Sequence, residues 1–362
     1  MNSHHSKFII FDYLIDLIYK PLMKALKYIL FLLLILFIGL AIYIAVQPND
    51  FSFERSKIIK APTPVVYDMV NDYKEWTRFS PWLEQDTDAV LTYKDKTSGV
   101  DAGYSWNGEL LGIGAMQTID VLNNKSIAQQ IEFVEPIESK SNINWMFEQV
   151  EEGTKVTWSM DGKQDFITKL YVAFAGSIEK NTAPDFERGL FKLDSIVQSD
   201  MKQYSITVEG ITQHGGGFYL YNTTSCKIED LEQKKQEMMP IVGGYALSNN
   251  VTMAGKPFVL YHKWDTENNT VMFSCCVPTT SKIETSNPNI LTGQLKPFKA
   301  VKTVLKGDYT NSEEAWNQAM AYIKDNNLKE PLTGPVLESY LTDPISTPNP
   351  ANWITEIYLA VE

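Results

Sequence analysis

Cysteine and histidine are scarce in this 362-residue sequence, which has three of the first and four of the second. Cys226, Cys275 and Cys276 are too few for a disulfide scaffold, and the adjacent pair can bridge only under strain; one bridge from Cys226 stays open as an alternative. His4, His5, His214 and His262 lack metal-ligand spacing, so neither a structural zinc nor any other cofactor is expected. Between Phe51 and Lys202 both residue types are missing, which removes the commonest general base and the thiol nucleophile from that stretch. Positive charge is also short: 32 Lys and Arg stand against 44 Asp and Glu, for a net charge of −12. With no basic stripe and no helix-turn-helix pattern, unaided nucleic-acid binding is excluded as an expectation.

What the sequence does have is a globular composition, 44% hydrophobic and 21% charged, over a length suited to two domains and an appendage. The appendage is apolar. Tyr28 to Val46 carries no charge and as a helix would extend about 28 Å, close to a bilayer core. A cleaved signal peptide is the alternative, but Tyr43 and Ala45 make a poor cleavage site ahead of Gln47 and Pro48. Lys7, Lys20, Lys24 and Lys27 precede the span, whereas Arg55, Lys57 and Lys60 follow it among Asp50 and Glu54. That bias predicts a cytoplasmic N-terminus and a body outside the cytoplasm, as in a bacterial inner-membrane protein. Ahead of the span, Asp12, Asp16 and Lys20 draw a polar stripe on an apolar stretch, which suits an interfacial helix bending at Pro21 as well as it suits a plain tail.

After the span, an extended segment leads to Thr63-Pro64, an N-cap with proline at the first helical position. Period-two alternation then marks strands: Ile127, Gln129, Ile131 and Phe133; Ile143, Trp145 and Phe147; Val156, Trp158 and Met160 after the Glu152-Gly153 turn. A helix is predicted after Thr182-Ala183-Pro184-Asp185, with Phe186, Leu190, Leu193 and Val197 on one stripe. An antiparallel sheet curled round that helix buries both apolar faces.

Ile58 to Pro62, Trp76, Ser80-Pro81-Trp82, Gly103 to Trp106, Gly112 to Met116, Val156-Thr157-Trp158 and Asp185 to Leu190 together resemble the START-like (SRPBCC, polyketide-cyclase-like) superfamily with its helix-grip fold. The resemblance implies a cavity for an apolar or lipid-like molecule. Trp76, Trp82, Trp106, Trp145 and Trp158 would line it or simply form core, the commoner fate of alternating aromatic residues.

The remaining sequence reads as two halves. Pro257-Phe258-Val259-Leu260-Tyr261 recurs as Pro335-Val336-Leu337-Glu338-Ser339, each after a helix (Ile228 to Met239 and Ser312 to Asn326), which predicts two βαββ units sharing one sheet and a groove. Strand alternation puts Glu338 with Tyr340 and Glu356 with Tyr358, and all four are expected to converge on that groove while Leu337, Thr355 and Ile357 face the helices. His262 reads as structural, and His214-Gly215-Gly216-Gly217 as a flexible turn without a phosphate loop around it. Leu305 to Tyr309, Ser312 to Trp316, Pro335 to Tyr340, Thr342-Asp343-Pro344 and Trp353 to Leu359 resemble the GyrI-like small-molecule-binding family, the effector-binding domain of bacterial transcription activators. Ala360 departs from the proline usual there, and the membrane span and START-like segment replace a DNA-binding helix-turn-helix. The resemblance implies a deep pocket glutamate at Glu356 amid aromatic residues, and the pseudo-symmetry of the two halves predicts Tyr261 opposite Glu338, with Trp316 and Tyr309 as walls.

The expected architecture is thus α+β: a cytoplasmic or interfacial segment (1–24), a transmembrane helix (25–47), a helix-grip START-like domain (51–202) and a duplicated βαββ GyrI-like domain (204–362). The expected partners are the membrane and a hydrophobic small molecule, with a cation favoured by carboxylates in an aromatic cage. The alternative is a hydrolase of reactive electrophiles in which Glu356 and Tyr358 do acid–base work.

Overall fold

The computed structural model describes residues 4–331 and 333–362, with side chains from Leu22 onward. Helix α1 (His4–Ala45) is continuous, so the bend predicted at Pro21 does not end it. Lys7 and the Asp12, Asp16 and Lys20 stripe lie outside the described side chains. Within α1, Leu22–Ala45 is long and apolar enough to cross a membrane by length and composition.

Two compact units form: Met1–Ile59 with Met69–Lys192, and Lys60–Asp68 with Leu193–Glu362. The first unit holds β1 (Asp50–Ile59), the last three residues of α2 (Thr63–Asn71), whose first six lie in the second unit, the short helices α3 (Trp76–Phe79) and α4 (Pro81–Gln85), and strands β2 (Val90–Tyr93), β3 (Gly103–Gly108), β4 (Gly112–Leu122), β5 (Ser126–Glu135), β6 (Ser139–Val150) and β7 (Gly153–Lys163). Helix α5 (Phe166–Ala175) follows, and then α6 (Ile178–Met201), which passes into the second unit after Lys192. The strands make one antiparallel sheet in the order β1-β7-β6-β5-β4-β3-β2. Its meander follows from the alternation: Ile143, Trp145 and Phe147 on β6 and Val156, Trp158 and Met160 on β7 are all buried.

Helix α6 starts earlier than Thr182-Ala183-Pro184-Asp185 predicted. Ser177 Oγ accepts from Lys180 N at 3.1 Å and caps it there, which places Pro184 inside the helix. From α6, Phe186 stacks on Trp158 at 4.0 Å, and Trp158 stacks on Trp145 at 4.3 Å. These rings, with Trp76, are wholly buried, so at this level the tryptophans are core, not pocket wall.

The second unit holds an eight-stranded antiparallel sheet. Its strands are β8 (Ser205–His214), β9 (Gly217–Lys227), β10 (Phe258–Asp265), β11 (Thr270–Thr279), β12 (Leu291–Leu295), β13 (Phe298–Lys306), β14 (Val336–Tyr340) and β15 (Ile354–Ala360), in the order β12-β9-β11-β10-β14-β15-β13-β8. Helix α7 (Leu231–Ser248) follows β9 and α8 (Ser312–Asp325) follows β13. The predicted duplication is visible as β9-α7-β10-β11 and β13-α8-β14-β15, joined where β10 pairs with β14. Helix α7 continues well past Met239, and its buried stripe is Leu231, Lys235, Met238, Val242 and Ala246. A lysine in that apolar stripe needs a partner on the sheet.

Candidate functional site

Register decides which side chains meet. Glu338 pairs with Val259 of β10 and Ile357 of β15, whereas Leu337 pairs with Tyr358 and Ser339 with Glu356. Directly opposed residues share a face, so Val259, Tyr261, Glu338, Tyr340, Thr355 and Ile357 point toward the helices, while Phe258, Leu260, Leu337, Ser339, Glu356 and Tyr358 point away. The expected convergence of both glutamates and both tyrosines on one groove is therefore incorrect. Leu337, expected under the helices, packs with Phe258, Leu260 and Cys276 on the opposite face.

On the helix side the structure brings together Glu338, Tyr340, Tyr261, Trp316 and Tyr309. The Glu338 carboxylate is 2% exposed and accepts from Trp316 Nε1 at 2.5 Å, Tyr261 OH at 2.8 Å and Tyr340 OH at 2.9 Å. Lys235 of α7 completes the site, 3.4 Å from Glu338 and 2.5 Å from the exposed Glu232 one turn earlier. Its ammonium also lies 5.8 Å from the centre of the Tyr340 ring, a cation–π arrangement. The walls are half-buried: Tyr261 meets Trp316 edge-on at 5.6 Å, and Tyr309 sits between Tyr340 at 5.4 Å and Trp353 at 4.6 Å.

Burial pushes the Glu338 carboxyl up, but Lys235 and the three neutral donors outweigh it and hold the group below the ordinary carboxylate range. Burial likewise opposes the charge on Lys235, and Glu338 and Glu232 together raise it above an ordinary lysine. Burial and the Glu338 charge push the Tyr261 and Tyr340 phenols well up, so both stay protonated donors. The result is a buried anion in an aromatic cage with a lysine already in the cation's place.

On the opposite face, Glu356 and Tyr358 border a cavity of about 220 Å³ whose apolar lining includes Phe218, Tyr219, Phe258 and Leu295. Tyr358 OH donates to Glu356 Oε2 at 2.7 Å, and Glu356 Oε1 lies 2.8 Å from Lys302, which also pairs with Glu209 at 3.0 Å. Burial and the bond to Glu356 raise the Tyr358 phenol. The His214 ring lies on Phe298 and edge-on to Tyr358, and its Nδ1 accepts from Gly216 N at 3.1 Å, which leaves Nε2 to carry the proton of the neutral ring. Burial pushes His214 down, against the pull of Glu356. The turn after it is built round Gly216, whose φ of +67° and closeness to the Leu295 carbonyl leave no room for a Cβ. His262, read as structural, bonds Ser274 Oγ at 2.7 Å. All three cysteines are free thiols, which closes the question of a bridge from Cys226. Among the described residues no group of three or more His, Cys, Asp or Glu side chains is placed to hold a metal.

The two halves of this architecture match known families. Residues 59–191 match the polyketide cyclase/dehydrase and lipid transport family, and residues 218–362 match the GyrI-like small molecule binding domain. The chain joins a polyketide cyclase-like domain to a GyrI-like domain. Similar solved structures include the C-terminal domain of EcmrR (20% identity over 44% of this chain and 98% of that one, TM-score 0.38). A protein from Chromobacterium violaceum shares 15% identity over 42% of this chain and 99% of its own (TM-score 0.32). One from Staphylococcus aureus shares 12% over 44% and 99% (TM-score 0.34). No curated protein matches the chain.

Both domains belong to small-molecule-binding families. In the GyrI-like domain, sequence reasoning missed Lys235 and Lys302, the cations that pair with the two glutamates. The signal for Lys235 was its place in the apolar stripe of α7. Lys302 carried no such signal, because only the pairing of β13 with β15 sets it opposite Tyr358.

Proposed function

We propose that the chain is a membrane-anchored binding protein whose GyrI-like domain takes a planar aromatic amine or related lipophilic cation in the groove above Glu338. The observation that carries this reading is a fully buried, charged carboxylate beneath half-buried aromatic walls from β10, β14, α8 and the turn before α8, since such desolvated charge accumulates at functional sites. Lys235 is already bound to Glu232 on the exposed side of the same helix, and giving up its 3.4 Å contact with Glu338 would leave the place over Tyr340 and Glu338 to a ligand cation. The polyketide cyclase-like domain would serve as a second apolar module. Leu22–Ala45 would hold both at the membrane, with Lys24 and Lys27 on the cytoplasmic side.

The test uses the full chain in lipid nanodiscs, titrated calorimetrically with 1-naphthylmethylammonium and with its neutral counterpart 1-naphthylmethanol, empty nanodiscs subtracted. The ammonium should bind more tightly than the alcohol, Lys235→Met should strengthen it further, and Glu338→Gln should remove the preference at a cost of about 1.5–3 kcal/mol, typical of a lost charged hydrogen bond. Equal binding of the two compounds by all three proteins would refute the reading.

A second reading is hydrolysis on the opposite face, favoured by the hydrogen-bonded Glu356–Tyr358 pair beside a cavity. The ion pair with Lys302 counts against Glu356 as a free base. Turnover of an electrophilic substrate that is abolished by Tyr358→Phe and by Glu356→Gln would make this the better description.

A further inference from the structure

The short helix α5 presents an unusual surface. Phe166 (47% exposed), Ile167 (57%), Tyr171 (57%) and Phe174 (75%) stand out to solvent, and the exposed positions between them and after them are alanines. A contiguous apolar face of this kind on a folded domain marks a contact. The single charge on the helix is turned the other way: Lys169 is 6% exposed and donates to Gln47 O at 2.6 Å, Asn49 Oδ1 at 2.5 Å and Ala45 O at 3.5 Å.

Those acceptors are at the end of α1. The carbonyls of a helix C-terminus lack intrahelical donors and carry the negative end of its dipole, so the Lys169 ammonium both caps α1 and ties α5 to it. Ile44, 1% exposed, is the one buried residue of the Leu22–Ala45 segment, and α1 and α5 are in contact. The apolar face of α5 is thereby fixed at the level where the span ends. Tyr43 on α1, 57% exposed, and Tyr171 on α5 supply aromatic rings of the kind found where hydrocarbon gives way to headgroups.

We infer that α5 is a second membrane contact, an in-plane helix that sinks Phe166, Ile167, Tyr171 and Phe174 into the interface of the same bilayer that α1 crosses. It rests on the anchoring proposed above. Pinned at two elements instead of one, the first unit would not swivel freely about α1 but would hold one side toward the lipid. For a polyketide cyclase-like domain, that sets a fixed face against the source of any apolar ligand.

The experiment places a single reactive cysteine at Phe174, Leu33 or Val90 in the full chain carrying Cys226→Ser, the other two native thiols being fully buried. Each is labelled with an environment-sensitive nitrobenzoxadiazole and reconstituted in phosphatidylcholine/phosphatidylglycerol vesicles; the unsubstituted Cys226→Ser chain is the blank. Phe174→Cys should give blue-shifted emission, loss of reactivity to aqueous dithionite and quenching by lipids spin-labelled near the headgroup. Leu33→Cys should be quenched by deep labels, and Val90→Cys, on a strand of the sheet and 66% exposed, should stay aqueous. A Phe174 label that behaves like the Val90 label while Leu33 is quenched overturns the inference and leaves the anchor standing. Aqueous behaviour at Leu33 as well refutes both.

Discussion

Replacing Lys235 with methionine isolates the charge at the heart of the GyrI-like domain, because methionine keeps much of the buried stem and removes only the ammonium. Glu338 would then be a buried carboxylate without a cation. At 3.4 Å the gross attraction is about 5 kcal/mol for an effective dielectric near 20, and breaking a buried pair from one side typically costs about 3–5 kcal/mol net. Tyr261, Tyr340 and Trp316 still donate to Glu338, so the lower end applies, about 3 kcal/mol at pH 7. The chain has two folded units, so a global melting curve would mix them. Amide hydrogen exchange of Val336–Tyr340, read by mass spectrometry, reports the local opening free energy, and about 3 kcal/mol corresponds to roughly a 100-fold loss of protection.

The pH dependence separates charge from volume. In the wild type, Glu338 holds its charge below the ordinary carboxylate range, so its contribution is present at neutral pH and fades only as the pH falls below about 4.3 toward the folded value. In Lys235→Met, burial dominates and the carboxyl binds its proton from a higher pH, so the deficit against wild type should shrink in acid. Lys235→Met with Glu338→Gln should recover most of the loss at pH 7, and saturating 1-naphthylmethylammonium at about 100 times its Kd should restore about 2.7 kcal/mol to the single variant. A deficit that is the same at pH 4 and pH 7, or that survives in the double variant, would mean that the methionine disturbs packing and that the charge argument is wrong.

His214 should titrate below the ordinary imidazole value near 6.5, because burial outweighs Glu356; folding there favours the neutral ring, so stability is lost as the pH falls below that value. A ring-proton titration assigned with His214→Gln checks it, and a midpoint at or above the ordinary value would contradict the stated cause. In the first unit, a Cβ on Gly114 would stand 2.7 Å from the Glu132 carbonyl and collide with the Trp106 ring, so Gly114→Ala should cost about 1–3 kcal/mol. Tryptophan-detected urea unfolding would show it as a lower midpoint, and an unchanged midpoint would mean that β4 and β5 can part without penalty.

Much of the architecture is legible from local patterns, since a strand with one buried face must alternate and a packed helix must carry a stripe. Val156, Trp158 and Met160 could only be a sheet face, and Ala315, Ala319 and Ile323 could only be the buried side of α8. The pocket glutamate is the instructive case. Alternation puts Glu338 with Tyr340, and Glu356 with Tyr358, on the basis of the sequence alone, because successive side chains of any strand point to opposite faces. Nothing in either strand says how it is phased against the other. Aligning the two halves on Pro257 and Pro335 equates Val259 with Leu337, yet the pairing sets Val259 opposite Glu338, and Leu337 falls on the other face.

The β14–β15 register, which sets Glu338 opposite Ile357 and Ser339 opposite Glu356, is likewise a property of hydrogen bonding between strands, and it puts the two glutamates on opposite faces of the sheet. It also decides which lysine each carboxylate receives. Lys235 arrives from a helix stripe and Lys302 from a neighbouring strand, and both ion pairs exist only after the chain has closed on itself. Sequence by itself determined the residue types, their local faces and the two families; tertiary register and long-range charge pairing decided that the acidic cage lies under the helices and carries its own cation.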